Sequence, residues 1–113
     1  MKLKTVLAML FAALVTAGSA SAKSLVVYFS HTGENYAVGN ITEGNTAIVA
    51  KMIAAKTGSD TFEIIPEKDY PATYKACTDV AKAEQKQNAR PAYKGDVDTS
   101  GYDTIYLGYP IWW

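Results

Sequence analysis

Three short β-prone runs, separated by two segments of helical spacing, leave this chain little choice of architecture. The first run, Ser24-Leu25-Val26-Val27-Tyr28-Phe29, is apolar almost without a break, which suits a strand covered on both faces in a parallel sheet. Residues 45–56 follow, with Ile48, Val49, Met52 and Ile53 at helical spacing and Gly58 as a stop. The second run is Thr61-Phe62-Glu63-Ile64-Ile65, ended by Pro66. A second helix is expected to open near Pro71, a residue suited to a first helical position, with Tyr70, Tyr74, Cys77 and Val80 on one buried stripe. Residues 88–101 read as loop, and Thr104-Ile105-Tyr106-Leu107-Gly108-Tyr109 as the third strand. The order β-α-β-α-β implies a parallel sheet with right-handed crossovers. Ligands of open α/β sheets sit beyond the carboxyl ends of the strands, so chemistry is expected in the loops that start at Ser30 and Pro110.

Residues 1–22 stand apart from this pattern. Lys2 and Lys4 precede an apolar run from Val6 to Val15, and small residues then lead to Ala20-Ser21-Ala22. A basic start, a short apolar stretch and an Ala-x-Ala end predict a secretory signal peptide cleaved near Ala22. The run is well short of the ~20 apolar residues that a membrane span needs, so no stable anchor is expected. Cleavage leaves 91 residues, with nine basic and eleven acidic side chains. The expected location is periplasmic or secreted, and residues 23–113 form the single domain.

Charge and cysteine usage exclude several classes. The whole chain has 11 Lys+Arg against 11 Asp+Glu and no basic run, so nothing is available to neutralise a nucleic-acid backbone. Cys77 has no second cysteine to pair with and reads as a core residue; no Cys/His cluster suits zinc. Asp96, Asp98 and Asp103 lack the Gly and terminal Glu of a calcium loop and read as solvated charges.

The first loop offers anion chemistry without a cation. Ser30-His31-Thr32-Gly33 follows the first strand, and Gly44-Asn45-Thr46 opens the next helix. Hydroxyls, glycines and a helix N-terminus present many donors, and the helix dipole favours negative charge there. Asn45 or Thr46 would serve equally as an ordinary N-cap. From Ser30 to Thr46 there is no Lys or Arg, so a Walker A loop is absent, and the Gly-x-Gly-x-x-Gly dinucleotide fingerprint is missing too. At the third strand's end, Gly108-Tyr109-Pro110-Ile111-Trp112-Trp113 places two large rings on the second ligand-facing loop. Beside a phosphate loop, such rings suit a flat ligand that carries a phosphate; they would equally serve as packing.

With these residues in view, the chain resembles the flavodoxins, FMN-binding electron-transfer proteins with a five-stranded parallel sheet. Val27-Tyr28-Phe29-Ser30-His31-Thr32-Gly33 looks like their first strand and phosphate loop, and Asn45-Thr46 before an Ala/Val-rich helix looks like the loop's end. Residues 102–113 look like the third strand and first flavin-contacting loop. The resemblance implies a doubly wound parallel sheet, of which residues 24–113 supply the N-terminal β-α-β-α-β portion with strands in the order two-one-three. It implies FMN as cofactor, bound by Ser30, His31, Thr32, Gly33, Asn45 and Thr46 at the phosphate and by Pro110, Ile111, Trp112 and Trp113 at the ring. Two departures stand out. Residues 34–44 interrupt a loop that in the family runs Thr-Gly-Asn-Thr, and no counterpart of the fourth and fifth strands follows Trp113, as expected of a domain incomplete at its C-terminus.

The function expected is exported electron transfer, with a redox partner protein or a small-molecule electron acceptor. The alternatives are an FMN-dependent NAD(P)H or quinone reductase of the same fold and a non-redox binding module. No acid/base pair or activated nucleophile is evident, so no catalytic side chain is assigned.

Overall fold

The computed structural model describes residues 22–112; the signal-peptide reading of residues 1–22 and the assignment of Trp113 fall, all but Ala22, outside them. In chain order the elements are β1 (Ser24–Tyr28), β2 (Gly33–Asn35), β3 (Gly39–Ile41), α1 (Asn45–Thr57), β4 (Asp60–Glu63), α2 (Tyr74–Lys86) and β5 (Thr104–Gly108). The main sheet is parallel with strand order β4-β1-β5, the two-one-three order expected. β1 is its centre, and Leu25 and Val26 are each only 1% exposed, one on either face of the pleat. The ladders continue past the strands: Ile64 N–H donates to Tyr28 C=O at 2.7 Å, and Phe29 N–H to Gly108 C=O at 2.9 Å.

α1 covers one face, and its contact residues differ from those the periodicity suggested. Ala47 and Ala50 are buried against Val26 and Tyr28, with Ile53 and Ala54 packed beside them. Ile48, Val49 and Met52, expected in the core, are 41%, 53% and 56% exposed. Small alanines let the helix axis approach the sheet closely, so the seam runs along the alanines and turns the larger side chains outward. α2 begins three residues later than Pro71 suggested, at Tyr74 with Thr73 as N-cap. The delay has a cause: the Ala72 carbonyl accepts the Glu34 N–H at 2.8 Å, and the Glu34 carboxylate accepts the Tyr74 N–H at 2.9 Å. Held extended by the first loop, the chain can wind only after residue 73. The expected stripe is corrected accordingly: Cys77 and Ala81 are buried, Tyr74 and Val80 are 39% and 36% exposed, and Tyr70 precedes the helix.

The insertion at residues 34–44, which interrupts the first loop, carries most of a small antiparallel hairpin of β2 and β3 with Glu34 opposite Asn40. Its turn holds Tyr36, Ala37 and Val38, and Val38 N–H returns to Asn35 C=O at 3.3 Å. Gly33 enters it at φ 86°, where an added Cβ would lie 2.7 Å from the Ala72 carbonyl oxygen. Among the described residues, no helix is long and apolar enough to cross a membrane.

These burial patterns separate two substitutions that the sequence would rank alike. Leu25→Ala should lower stability by about 2–5 kcal/mol, because it opens a cavity in a filled core. Val49→Ala should stay within about 0.5 kcal/mol, because its side chain is largely in water. Urea unfolding of the two variants checks the contrast.

Candidate functional site

The carboxyl end of β1 is joined to the start of α1 by a close backbone approach. An added Cβ on Gly44 would lie 2.0 Å from Ser30 Oγ and 2.8 Å from the His31 carbonyl oxygen, so only glycine fits there. The approach brings Ser30 Oγ to 3.1 Å from the Ala47 N–H, which donates to it, while Ile48 N–H donates to Gly44 C=O at 3.1 Å. A helix start has four N–H groups without helical partners. With Ala47 satisfied by Ser30, the N–H groups of Gly44, Asn45 and Thr46 remain open among the described residues, and of these Asn45 and Thr46 line the cavity described next. The Ser30 hydroxyl, having accepted one bond, still has its proton to donate. Thr46 seats its methyl 3.3 Å from where a Cβ on Gly108 would stand, which fixes the helix start over the β1–β5 seam.

These groups open onto a cavity of about 620 Å³. Ser30, His31, Asn45, Thr46, Pro110, Ile111 and Trp112, seven of the ten residues expected to bind cofactor, line it. Thr32 and Gly33 do not. They face a second cavity of about 360 Å³ that also carries Glu63 and Asp69, a poor setting for an anion. The large cavity has no Lys or Arg in its lining; Glu34 is its one carboxylate, and that carboxylate is engaged with the Tyr74 N–H. The His31 Nε2–H donates to the Pro71 carbonyl at 3.2 Å, so this ring braces the loop against the segment before α2. Cys77 lies in the same lining, and burial pushes its thiol above the ordinary value, which keeps it protonated and inert.

Trp112 forms the other side. Its ring centroid lies 5.0 Å from Tyr70, 5.3 Å from Phe29 and 6.1 Å from His31, each in edge contact. Tyr70 is held in turn by a 2.7 Å bond from its hydroxyl to Glu84 on α2. Burial first, and then that bond, push the Tyr70 phenol well above its ordinary value. Trp112 is therefore a half-buried ring on an aromatic base, while neighbouring Ile111 is fully exposed.

The residues fit a flavin. A polar, cation-free floor with open N–H groups suits a phosphate, exposed apolar side chains at the rim suit a flat ring system, and the volume is that of a cofactor pocket. Sequence reasoning found the floor and one wall. It missed Tyr36, Val38 and Tyr74 in the same lining, and Phe29 and Tyr70 against Trp112. Gly33 and Gly39, bracketing two short runs around Tyr36–Val38, were the available hairpin signal. No group of three or more metal-ligating side chains occurs among the described residues.

Two outcomes follow. Gly44→Ala should destabilise by about 1–3 kcal/mol, and Ser30→Ala in the same chain should relieve this only partly, since the backbone clash with His31 remains; thermal melts of the single and double variants measure it. Because the folded-state pKa of Tyr70 is raised, its contribution to stability is complete below about pH 10 and is lost as pH rises through the folded value. Ultraviolet titration of Glu84→Gln should show one tyrosine ionising at lower pH than in the unsubstituted chain.

Comparison with known proteins agrees with this geometry. The sequence matches the family described as flavodoxin over residues 23–113. The search of curated proteins found no match. Among solved structures, the chain is similar to a protein from Bacteroides eggerthii DSM 20697, provisionally designated a flavoprotein, with a TM-score of 0.60 and 31% identity. The alignment covers 82% of this chain and 55% of that one, so this chain spans about half of its neighbour's length. A parallel β-α-β-α-β sheet, a cation-free loop at its carboxyl end and a family match across residues 23–113 establish that the chain belongs to the flavodoxin family.

Proposed function

We propose that the chain binds FMN and serves as an exported electron carrier. One observation carries the reading: the cavity's lining joins neutral donors at the start of α1 to exposed apolar side chains. That arrangement is the reverse of a protein core and suits a ligand with a charged end and a flat apolar end. In this reading the N–H groups of Asn45 and Thr46, with the hydroxyls of Ser30 and Thr46, hold the phosphate. Pro110, Ile111 and Trp112 bear on the ring system. Bound FMN supplies the redox chemistry. The chain's part is to hold the phosphate without a cation, to exclude water with Ile111 and Trp112, and to disfavour added negative charge through Glu34 beside the cavity. Export is supported by the Lys2/Lys4 start, the short apolar run and Ala20-Ser21-Ala22. A redox partner protein or a small acceptor would take the electrons.

A reductase reading is favoured by one further feature. A cavity of about 460 Å³ that also borders Trp112 is lined by Phe29, Tyr70, Tyr93 and Tyr109, with Glu84 and Arg90 beside them, a setting for a flat substrate. Rapid NADPH oxidation by the flavin-loaded protein, with a quinone as acceptor, would favour it over a carrier.

The phosphate assignment is tested by comparing FMN with riboflavin. Thr46→Ala should weaken FMN by on the order of 1.5–3 kcal/mol more than riboflavin, as expected for one bond to a charged group. Thr32→Ala, facing the acidic cavity, should leave the difference between the two ligands intact. Equal losses for both ligands in Thr46→Ala would remove the phosphate from this turn.

A further inference from the structure

We infer that the β2–β3 hairpin is the second wall of the flavin cavity, and that Tyr36 is the residue on it that determines how tightly the ring system is held. The inference rests on the flavin reading above. Tyr36 and Val38 line the same cavity as Asn45, Thr46, Ile111 and Trp112, and the Tyr36 ring meets Tyr74, whereas Trp112 packs on Phe29, His31 and Tyr70. Hairpin turns ordinarily carry small polar residues and glycine. This one carries Tyr36 at 77% exposure and Val38 at 50%, with Ala37 between them at φ 58°, a left-handed conformation that alanine adopts only at a cost. Two large apolar side chains in water, on a turn whose backbone is not relaxed, need a reason to be there. The ring of Tyr36 does meet Tyr74, with centroids 5.7 Å apart and planes inclined at 38°, yet this leaves most of its surface uncovered. In the same lining Ile111 is fully exposed. Exposed apolar side chains that share a lining with open N–H donors suit a flat ligand with a charged end.

The hairpin is also held in place, as a wall must be. Glu34 is bonded through its N–H to Ala72 and through its carboxylate to the N-terminal turn of α2. Asn35 donates its side-chain N–H groups to the His31 and Gly33 carbonyls, both at 3.2 Å. The turn is thus tied at once to α2 and to the phosphate loop, and Tyr36 stands at a fixed distance from both. The insertion at residues 34–44 is accordingly part of the ligand site.

The test is titration of the full chain with FMN and with riboflavin, followed by flavin fluorescence and by circular dichroism of the protein. Tyr36→Ala should weaken both flavins by the same factor, about three- to tenfold, the size of a lost aromatic contact, and bound flavin should fluoresce more. Tyr36→Phe should bind as the unsubstituted chain does. Unchanged affinity and quenching in a folded Tyr36→Ala chain, with binding by the unsubstituted chain intact, overturn this inference and leave the flavin reading standing. No flavin binding by the unsubstituted chain overturns both.

Discussion

The contact between Gly44 and Ser30 organises the whole carboxyl end of the sheet. Because Gly44 lacks a side chain, the backbone before α1 lies against Ser30 and His31, closer than any Cβ would allow. That proximity lets Ser30 accept from Ala47, which leaves Asn45 and Thr46 as the donors that face the cavity. It also sets where α1 starts, and hence that Ala47 and Ala50 meet Val26 and Tyr28 on β1. The open donors of the turn and one half of the core therefore share a single steric cause. A protein that uses no cation at such a site depends on backbone placement, since each neutral donor contributes only when correctly aimed.

A second consequence concerns the eleven residues between Gly33 and Asn45. An insertion in a phosphate loop would ordinarily loosen it. Here the added chain pairs with itself as a hairpin, and Glu34 and Asn35 fasten it to α2 and to the loop it interrupts. The cost of ordering a longer loop rises slowly with its length, so a few well-placed hydrogen bonds are enough to hold it.

The sequence was most readable where one physical demand dominated. The three parallel strands and the loops at their carboxyl ends followed from apolar runs and alternation with helices, and the strand order from the resemblance to the flavodoxins. The donor-rich start of the first helix was legible in residue types, which left an ordinary N-cap as an equal reading of Asn45 and Thr46. Helix faces were less readable: in α1 the larger residues Val49 and Met52 outweighed the alanines in any hydrophobic count, yet close approach to the sheet selects Ala47 and Ala50. The start of α2 was hidden because it is set by Glu34, forty residues earlier in the chain than Tyr74. Thr32 and Gly33 lie next to Ser30 in sequence, but the turn into β2 carries them to the acidic side of the loop. Tyr36 went unnoticed because its place in the cavity lining depends on a pairing between β2 and β3 that short polar segments barely announce.

The central claim is that the turn at Asn45 and Thr46 receives the phosphate of a flavin whose ring lies toward Trp112. The most direct measurement is the set of backbone amide and indole nuclear magnetic resonance shifts recorded as FMN is added to the isotope-labelled chain. The account predicts that the amides of Asn45 and Thr46 and the Trp112 indole move together and saturate at one ligand concentration. Saturable binding that moves Tyr93, Tyr109 and Arg90 in the other cavity that borders Trp112, and leaves Asn45 and Thr46 still, would contradict it.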